Sequence, residues 1–170
     1  MNRFKTFTCF LAYLLITSCS KETMPNQTLA KHVNLDRFMG KWYVHGHTPT
    51  FMDKQAFNAT EAYKLETDGT IRTTYQYNKD SLDGKLKTYK PVGKVYDSET
   101  NAEWRMKFFG IFNAPYYILY VDSDYKFTVI GHPNKKLAWV MARSPQIAES
   151  TYEKLKKELT SRNYQLLGFR

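Results

Sequence analysis

The sequence predicts an all-β domain of eight successive strands, closed as an up-and-down antiparallel barrel or stacked as a sandwich, with one α-helix after them. Three observations carry this. After residue 40, short runs rich in β-branched and aromatic residues alternate with turn residues, and aromatics make up 16% of the chain, which favours strands. Asp68-Gly69 lies between two such runs and Asp83-Gly84 marks another turn; Asp-Gly is a strong hairpin signal. One late segment switches to the period of a helix.

The elements follow in order. The first strand spans residues 42–48 and stops at Pro49, before a loop with Phe51 and Met52. Strands over 59–66 and 71–77 flank Asp68-Gly69. The run 87–96 is interrupted by Pro91 and Gly93, which predicts a bend or bulge. Residues 103–109 stop at Gly110, and strands over 116–121, 126–130 and 137–142 complete the set. From 149 to 160, Tyr152, Leu155 and Leu159 fall at helical spacing. Glu153 with Lys157, and Lys154 with Glu158, stand four apart and support an exposed face. A single amphipathic helix after eight strands must lie outside the sheet. A short apolar strand over 164–169 is expected to end the chain.

The first residues read as a sorting signal. Arg3 and Lys5 precede an apolar run over 7–16, too short to span a bilayer as a helix. Ile16-Thr17-Ser18-Cys19 resembles the bacterial lipobox, which implies removal of residues 1–18 and acylation of Cys19. A plain signal peptide or a buried core cysteine are the other readings. Residues 19–33 are polar and read as a lipidated tether, leaving 34–170 as one domain of common size. Cys9 and Cys19 are the only cysteines, so the mature domain holds no internal disulfide and depends on its own core. The net charge is +9, and +7 once Arg3 and Lys5 are gone. The basic residues are dispersed, which suits a weak attraction to anionic lipid and predicts no nucleic-acid partner.

Three local motifs point further. Gly40-Lys41-Trp42-Tyr43 resembles the Gly-x-Trp signature of the lipocalins, Asp122-Ser123-Asp124-Tyr125 their Thr-Asp-Tyr turn, and Trp139-Val140-Met141-Ala142-Arg143 the end of their eighth strand. Pro49-Thr50-Phe51, the run 114–119 and the run 138–145 are similar to apolipoprotein D and the bacterial outer-membrane lipocalins. The resemblance implies the barrel rather than the sandwich. It implies a closed end where Arg143 stacks on Trp42, a cation–π contact of about 0.5–2 kcal/mol. Gly40, Trp42, Asp124, Tyr125 and Arg143 are thus expected to be structural.

Aligning the turns with the lipocalin pattern sets strand parity, and side chains alternate faces with period two. The residues then expected to point inward are Val44, Glu61, Tyr63, Thr73, Tyr75, Met106, Phe108, Tyr116, Ile118, Leu137 and Trp139. They either line an apolar ligand site or fill the barrel. Glu61 is the sharpest case, because a carboxylate facing an apolar interior needs a partner or a proton. It meets a tyrosine hydroxyl or a ligand head group, or the parity of its strand is wrong. Phe51 and Met52 gate the mouth, touch a membrane, or pack within their loop.

Catalytic signatures are absent: the mature chain has no cysteine nucleophile once Cys19 is acylated, no Gly-x-Ser-x-Gly, no phosphate loop and no His-Glu-x-x-His. His45 and His47, two apart, would share a face of a regular strand outside the cup; they are either solvated or a metal pair. The expectation is a non-enzymatic lipocalin with no cofactor and no metal, binding a fatty acid, a lysophospholipid or a similar apolar small molecule. It would be anchored through Cys19 at the bacterial cell envelope, at the outer membrane. Alternatives are a surface adaptor or host-interaction lipoprotein with a filled barrel, a haem- or pigment-binding protein, and an enzyme acting on lipid.

Overall fold

The computed structural model describes residues 28–170. The expected signal, the acylation site at Cys19 and most of the tether lie outside the described residues. The elements are α1 (Leu35–Phe38), β1 (Gly40–His47), β2 (Ala56–Leu65), β3 (Thr70–Lys79), β4 (Leu86–Tyr89), β5 (Val92–Val95), β6 (Glu103–Phe108), β7 (Phe112–Val121), β8 (Phe127–Gly131), β9 (Ala138–Ala142) and α2 (Glu149–Thr160). All pairings are antiparallel between neighbours, and β1–β2 and β2–β3 close the sheet on itself. β4 and β5 share one place in the wall. Both pair with β3, at Tyr75–Asn78 and Thr70–Arg72 respectively. The break falls at Lys90-Pro91, because proline offers no amide to the ladder. The result is a closed barrel of eight strand positions with α2 outside it.

Two apolar layers follow from strand alternation. The inner one gathers Phe38, Trp42, Tyr63, Ile71, Trp104, Met106, Ile118, Ile130 and Met141. The outer one sets Leu119, Val129 and Val140 against Leu155 and Leu159 of α2. Glu153 and Glu158 on the exposed face of α2 pair with Lys156 at 2.7 Å and Arg162 at 2.6 Å, rather than with Lys157 and Lys154. Burying the outer face of the sheet requires a glycine at 131: a Cβ there would lie 2.2 Å from the Tyr164 hydroxyl.

The strand expected over 164–169 does not form. Asn163 and Gly168 take positive φ (60° and 73°), which breaks an extended run. Tyr164, Leu166 and Phe169 instead pack into the outer layer, and Arg170 alone pairs with the His47 backbone at 2.9 and 3.1 Å. At the other end, the described part of the expected tether is docked. Leu29 touches both layers, the Ala30 amide donates to the Ile118 carbonyl at 2.9 Å, and Val33 is fully buried.

Candidate functional site

The closed end is built by one cation. The Arg143 guanidinium lies 3.8 Å from the centre of the Trp42 ring. Its N–H groups donate to the carbonyls of Lys41, Arg37, Phe38 and Met39 at 2.7–3.0 Å and to that of Tyr125 at 3.3 Å. These include the carbonyls left open at the C-terminus of α1, where a cation is favoured by the helix dipole. The Trp42 indole N–H adds a bond to the Phe38 carbonyl at 2.9 Å. Gly40 sits at φ 91°, and a Cβ there would press on the Arg143 guanidinium at 3.3 Å.

The turn motif contributes through neighbouring residues. The Tyr125 hydroxyl accepts from the Asn34 amide at 2.7 Å, and Arg37 lies over its ring at 4.4 Å. Asp122 holds the turn, accepting from the amides of Phe127 and Asp124 at 2.5 and 3.2 Å. Asp124 itself faces outward to Lys126 at 3.0 Å. The structural task expected of Asp124 falls to Asp122.

Above this floor the inner face is aromatic. Phe38, Trp42, Tyr63, Trp104 and Tyr116 stand in ring contact, with centroids 5.1–6.2 Å apart. A second group of Ala59, Tyr75, Tyr77 and Tyr89 lies nearer the mouth. Of the residues expected inside, Tyr63, Met106, Tyr116 and Ile118 are buried in the inner layer, and Val44, Phe108 and Trp139 pack on it partly exposed. Glu61, Thr73 and Tyr75 are buried on the inner faces of β2 and β3. Leu137 stands apart: it precedes β9 and is half-buried in the turn beside the mouth.

Glu61 is held by tyrosines. The Tyr63 hydroxyl donates to its carboxyl and shares a hydrogen bond of 2.5 Å with the Tyr116 hydroxyl. Burial pushes the Glu61 carboxyl up to about 7, against the opposing hydrogen bond from Tyr63 and with Asp53 adding to the rise. The parity of β2 therefore places a carboxyl inside, held at its pair and inclined to keep its proton. Burial drives the Tyr63 and Tyr116 hydroxyls well above their ordinary value, so both stay protonated as donors.

The histidines separate. A bulge between Val44 and Gly46 reverses the parity of β1. A Cβ at Gly46 would meet Tyr152 and Phe169 on the outer side. His47, opposite Trp139, is buried with its Nε2 3.7 Å from Asp53. His45 instead hydrogen-bonds the Ser144 carbonyl at 2.9 Å, in the segment leading to α2. The expectation of both histidines on the outer face is thus corrected. Among the described residues no group of three or more His, Cys, Asp or Glu is arranged to hold a metal ion.

Asp53 was not legible as a site residue. It belongs to the β1–β2 loop, yet is only 4% exposed. Its carboxylate accepts from the Thr50 amide and hydroxyl at 2.6 and 2.7 Å and from the Tyr75 hydroxyl at 3.0 Å. Thus a loop carboxylate pins the loop to the barrel mouth. The one signal in the sequence is Thr50 three residues before Asp53, a spacing that suits a local side-chain turn. Phe51, on the same loop, stays exposed.

Comparisons agree with this geometry. The chain is 27% identical over 149 residues to temperature-induced lipocalin-1 of Arabidopsis thaliana, covering 81% of this chain and 77% of the relative. It is 24% identical over 162 residues to the outer membrane lipoprotein Blc of Escherichia coli (93% and 89% covered). It is 25% identical over 147 residues to apolipoprotein D of Cavia porcellus (82% and 76%). Among solved structures, insecticyanin from the tobacco hornworm Manduca sexta superposes with a TM-score of 0.63 at 17% identity, covering 86% of this chain and 83% of that one. The family model of the lipocalin-like domain matches residues 33–170, and with the closed barrel, the Trp42–Arg143 floor and the outer helix it establishes that this chain belongs to the lipocalin family.

Proposed function

We propose that this protein is a lipid-binding lipocalin of the bacterial cell envelope, tethered by acylated Cys19, that carries or stores a single-chain amphipath such as a fatty acid or lysophospholipid. The observation that carries the reading is a barrel closed at one end by Arg143 and lined above it by aromatic and aliphatic side chains. Toward the mouth, Val44, Phe108, Tyr89 and Trp139 keep part of their surface open, as a receptive apolar wall requires. The binding residues of this reading are Val44, Glu61, Tyr63, Thr73, Tyr75, Met106, Phe108, Tyr116, Ile118, Leu137 and Trp139, with Leu137 at the rim. Each CH₂ buried there contributes about 0.8 kcal/mol before ordering costs. No reaction is assigned to the site.

The rim of the mouth supports a role beside lipid. Phe51, Leu82, Leu86, Phe109, Ile111 and Phe112 come from three connections at the open end and the strand ends beside them, and each is more than half exposed. Lys54, Lys79, Lys85 and Lys107 are exposed among them. Apolar tips with lysines suit an anionic bilayer surface. That a relative is an outer membrane lipoprotein supports the same location.

The test is mass spectrometry of lipid extracted from protein purified without detergent, together with binding of the neutral dye N-phenylnaphthylamine. Near-stoichiometric single-chain lipid, and dye binding lost on Trp139→Asp and Phe108→Asp, are expected. Lipid-free protein that also fails to bind the dye overturns the reading in favour of a filled barrel, which the stacked rings of Trp42, Tyr63, Trp104 and Tyr116 would then explain.

A further inference from the structure

The deep polar groups of the cup are unevenly charged. Register sets Glu61 and Tyr63 of β2 opposite Tyr75 and Thr73 of β3, on one inner face. Trp42 pairs with Glu61, which places this group just above the closed end. The Glu61 carboxyl accepts from Tyr63, and Glu61 is buried at 9% exposure. The Thr73 hydroxyl is buried, 1% exposed, and has no hydrogen-bond partner. On the shared inner face the Thr73 hydroxyl, which can donate or accept, is unsatisfied, and the Glu61 carboxyl can accept beyond its bond from Tyr63.

Cations are kept away from it. Arg143 lies beneath Trp42 and is committed to five carbonyls. Lys87 shares the inner face only at the mouth end of β4, opposite Tyr77. His47, of the first strand, is paired with Asp53 of the loop, a second carboxylate that adds negative charge. The floor thus offers a carboxyl and a hydroxyl as acceptors, with no positive charge to receive an anion.

We propose that the cup takes a single-chain amphipath inserted polar end first, and that this end is a hydrogen-bond donor without negative charge, an ammonium or a hydroxyl, seated against Glu61 and Thr73. This rests on the reading above that the cup binds a single-chain amphipath, and it replaces the fatty acid and lysophospholipid named there by a long-chain amine or alcohol. A methyl end at the floor would leave both groups facing hydrocarbon. A carboxylate or phosphate there would oppose Glu61 with no counter-ion. An ammonium, with three donors, satisfies both groups, and a hydroxyl satisfies one while adding no charge. The net positive charge of the chain, +9 in all, favours anions at long range, so a preference for amine over carboxylate must come from the site itself.

Displacement of bound N-phenylnaphthylamine by dodecylamine, dodecanol and laurate at about pH 8 tests this. Wild-type protein should release the dye at amine and alcohol concentrations at least about tenfold below that of laurate. Glu61→Gln should bring amine and laurate to within about threefold of each other, while retaining the alcohol. Thr73→Val should weaken amine and alcohol but leave laurate unchanged, which keeps the test open even if Glu61→Gln does not fold. Laurate displacing as well as the amine in wild-type protein, or a preference untouched by both variants, overturns the proposal alone. Failure of wild-type protein to bind the dye overturns the ligand-binding reading, and this proposal with it.

Discussion

Replacing Glu61 by glutamine should make the barrel more stable in alkali and change little in mild acid. The folded protein holds the Glu61 proton with a pKa of about 7, against 4.5 for the free side chain, because the group is buried. At about 1.36 kcal/mol per pH unit, that gap is worth about 3 kcal/mol. The folded state binds the proton more tightly than the unfolded state does. The contribution of Glu61 is therefore fully present below the unfolded value and is lost as pH rises through about 7. Urea unfolding followed by tryptophan fluorescence at about pH 5 and about pH 8.5 reads this directly. The two proteins should be nearly equal at the lower pH, and the variant should be more stable by up to about 3 kcal/mol at the higher one. His47 acts in the opposite sense: burial lowers its pKa, so acid destabilises the fold through it. It is present in both proteins and cancels in the difference. A gap between variant and wild type that stays the same at both pH values would refute the placement of an ionisable carboxyl inside the barrel.

Three further outcomes follow from the geometry. Arg143→Ala removes five carbonyl hydrogen bonds and the Trp42 contact, and should cost about 2–4 kcal/mol in urea unfolding with loss of the near-ultraviolet dichroism of Trp42. Arg143→Lys should recover less than half of that, since an ammonium cannot reproduce the planar fork. Gly131→Ala drives a methyl into the Tyr164 ring and hydroxyl and should destabilise by about 1–3 kcal/mol, with partial recovery when Tyr164→Ala is added. Asp53→Ala frees the β1–β2 loop, so amide exchange at Thr50 should accelerate by at least about tenfold while amides of β6 and β7 keep their protection.

What was legible in the sequence is what depends on local pattern. The eight strand positions of the barrel, the Pro91 interruption and the span of α2 follow from period-two alternation and helical spacing, each read within about ten residues, and the Trp42–Arg143 floor from motifs that resemble those of the lipocalins. The inward placement of Glu61, Tyr63 and Tyr75 also follows, because β2 and β3 pair without a break from residue 60 to residue 65 and alternation then decides the face.

The rest depends on contacts between residues far apart in the chain. The bulge that turns His47 inward lies at Val44–Gly46, where a glycine in the strand permits one, and the pairing of β1 with β9 decides that it forms. Asp53 and Asp122 take their roles by accepting hydrogen bonds whose geometry exists only once loop and barrel are assembled. The last residues are apolar enough for a strand, but the closed barrel has no edge to add one to, so they pack against the outer layer instead. Alternation within short runs of sequence gave the strands, and the motifs that resemble those of the lipocalins gave the barrel and its tryptophan–arginine floor. That Asp53 joins Glu61 near the interior, that His47 turns inward, and how the mouth is tied depend on register, a bulge and loop contacts between residues far apart in the chain.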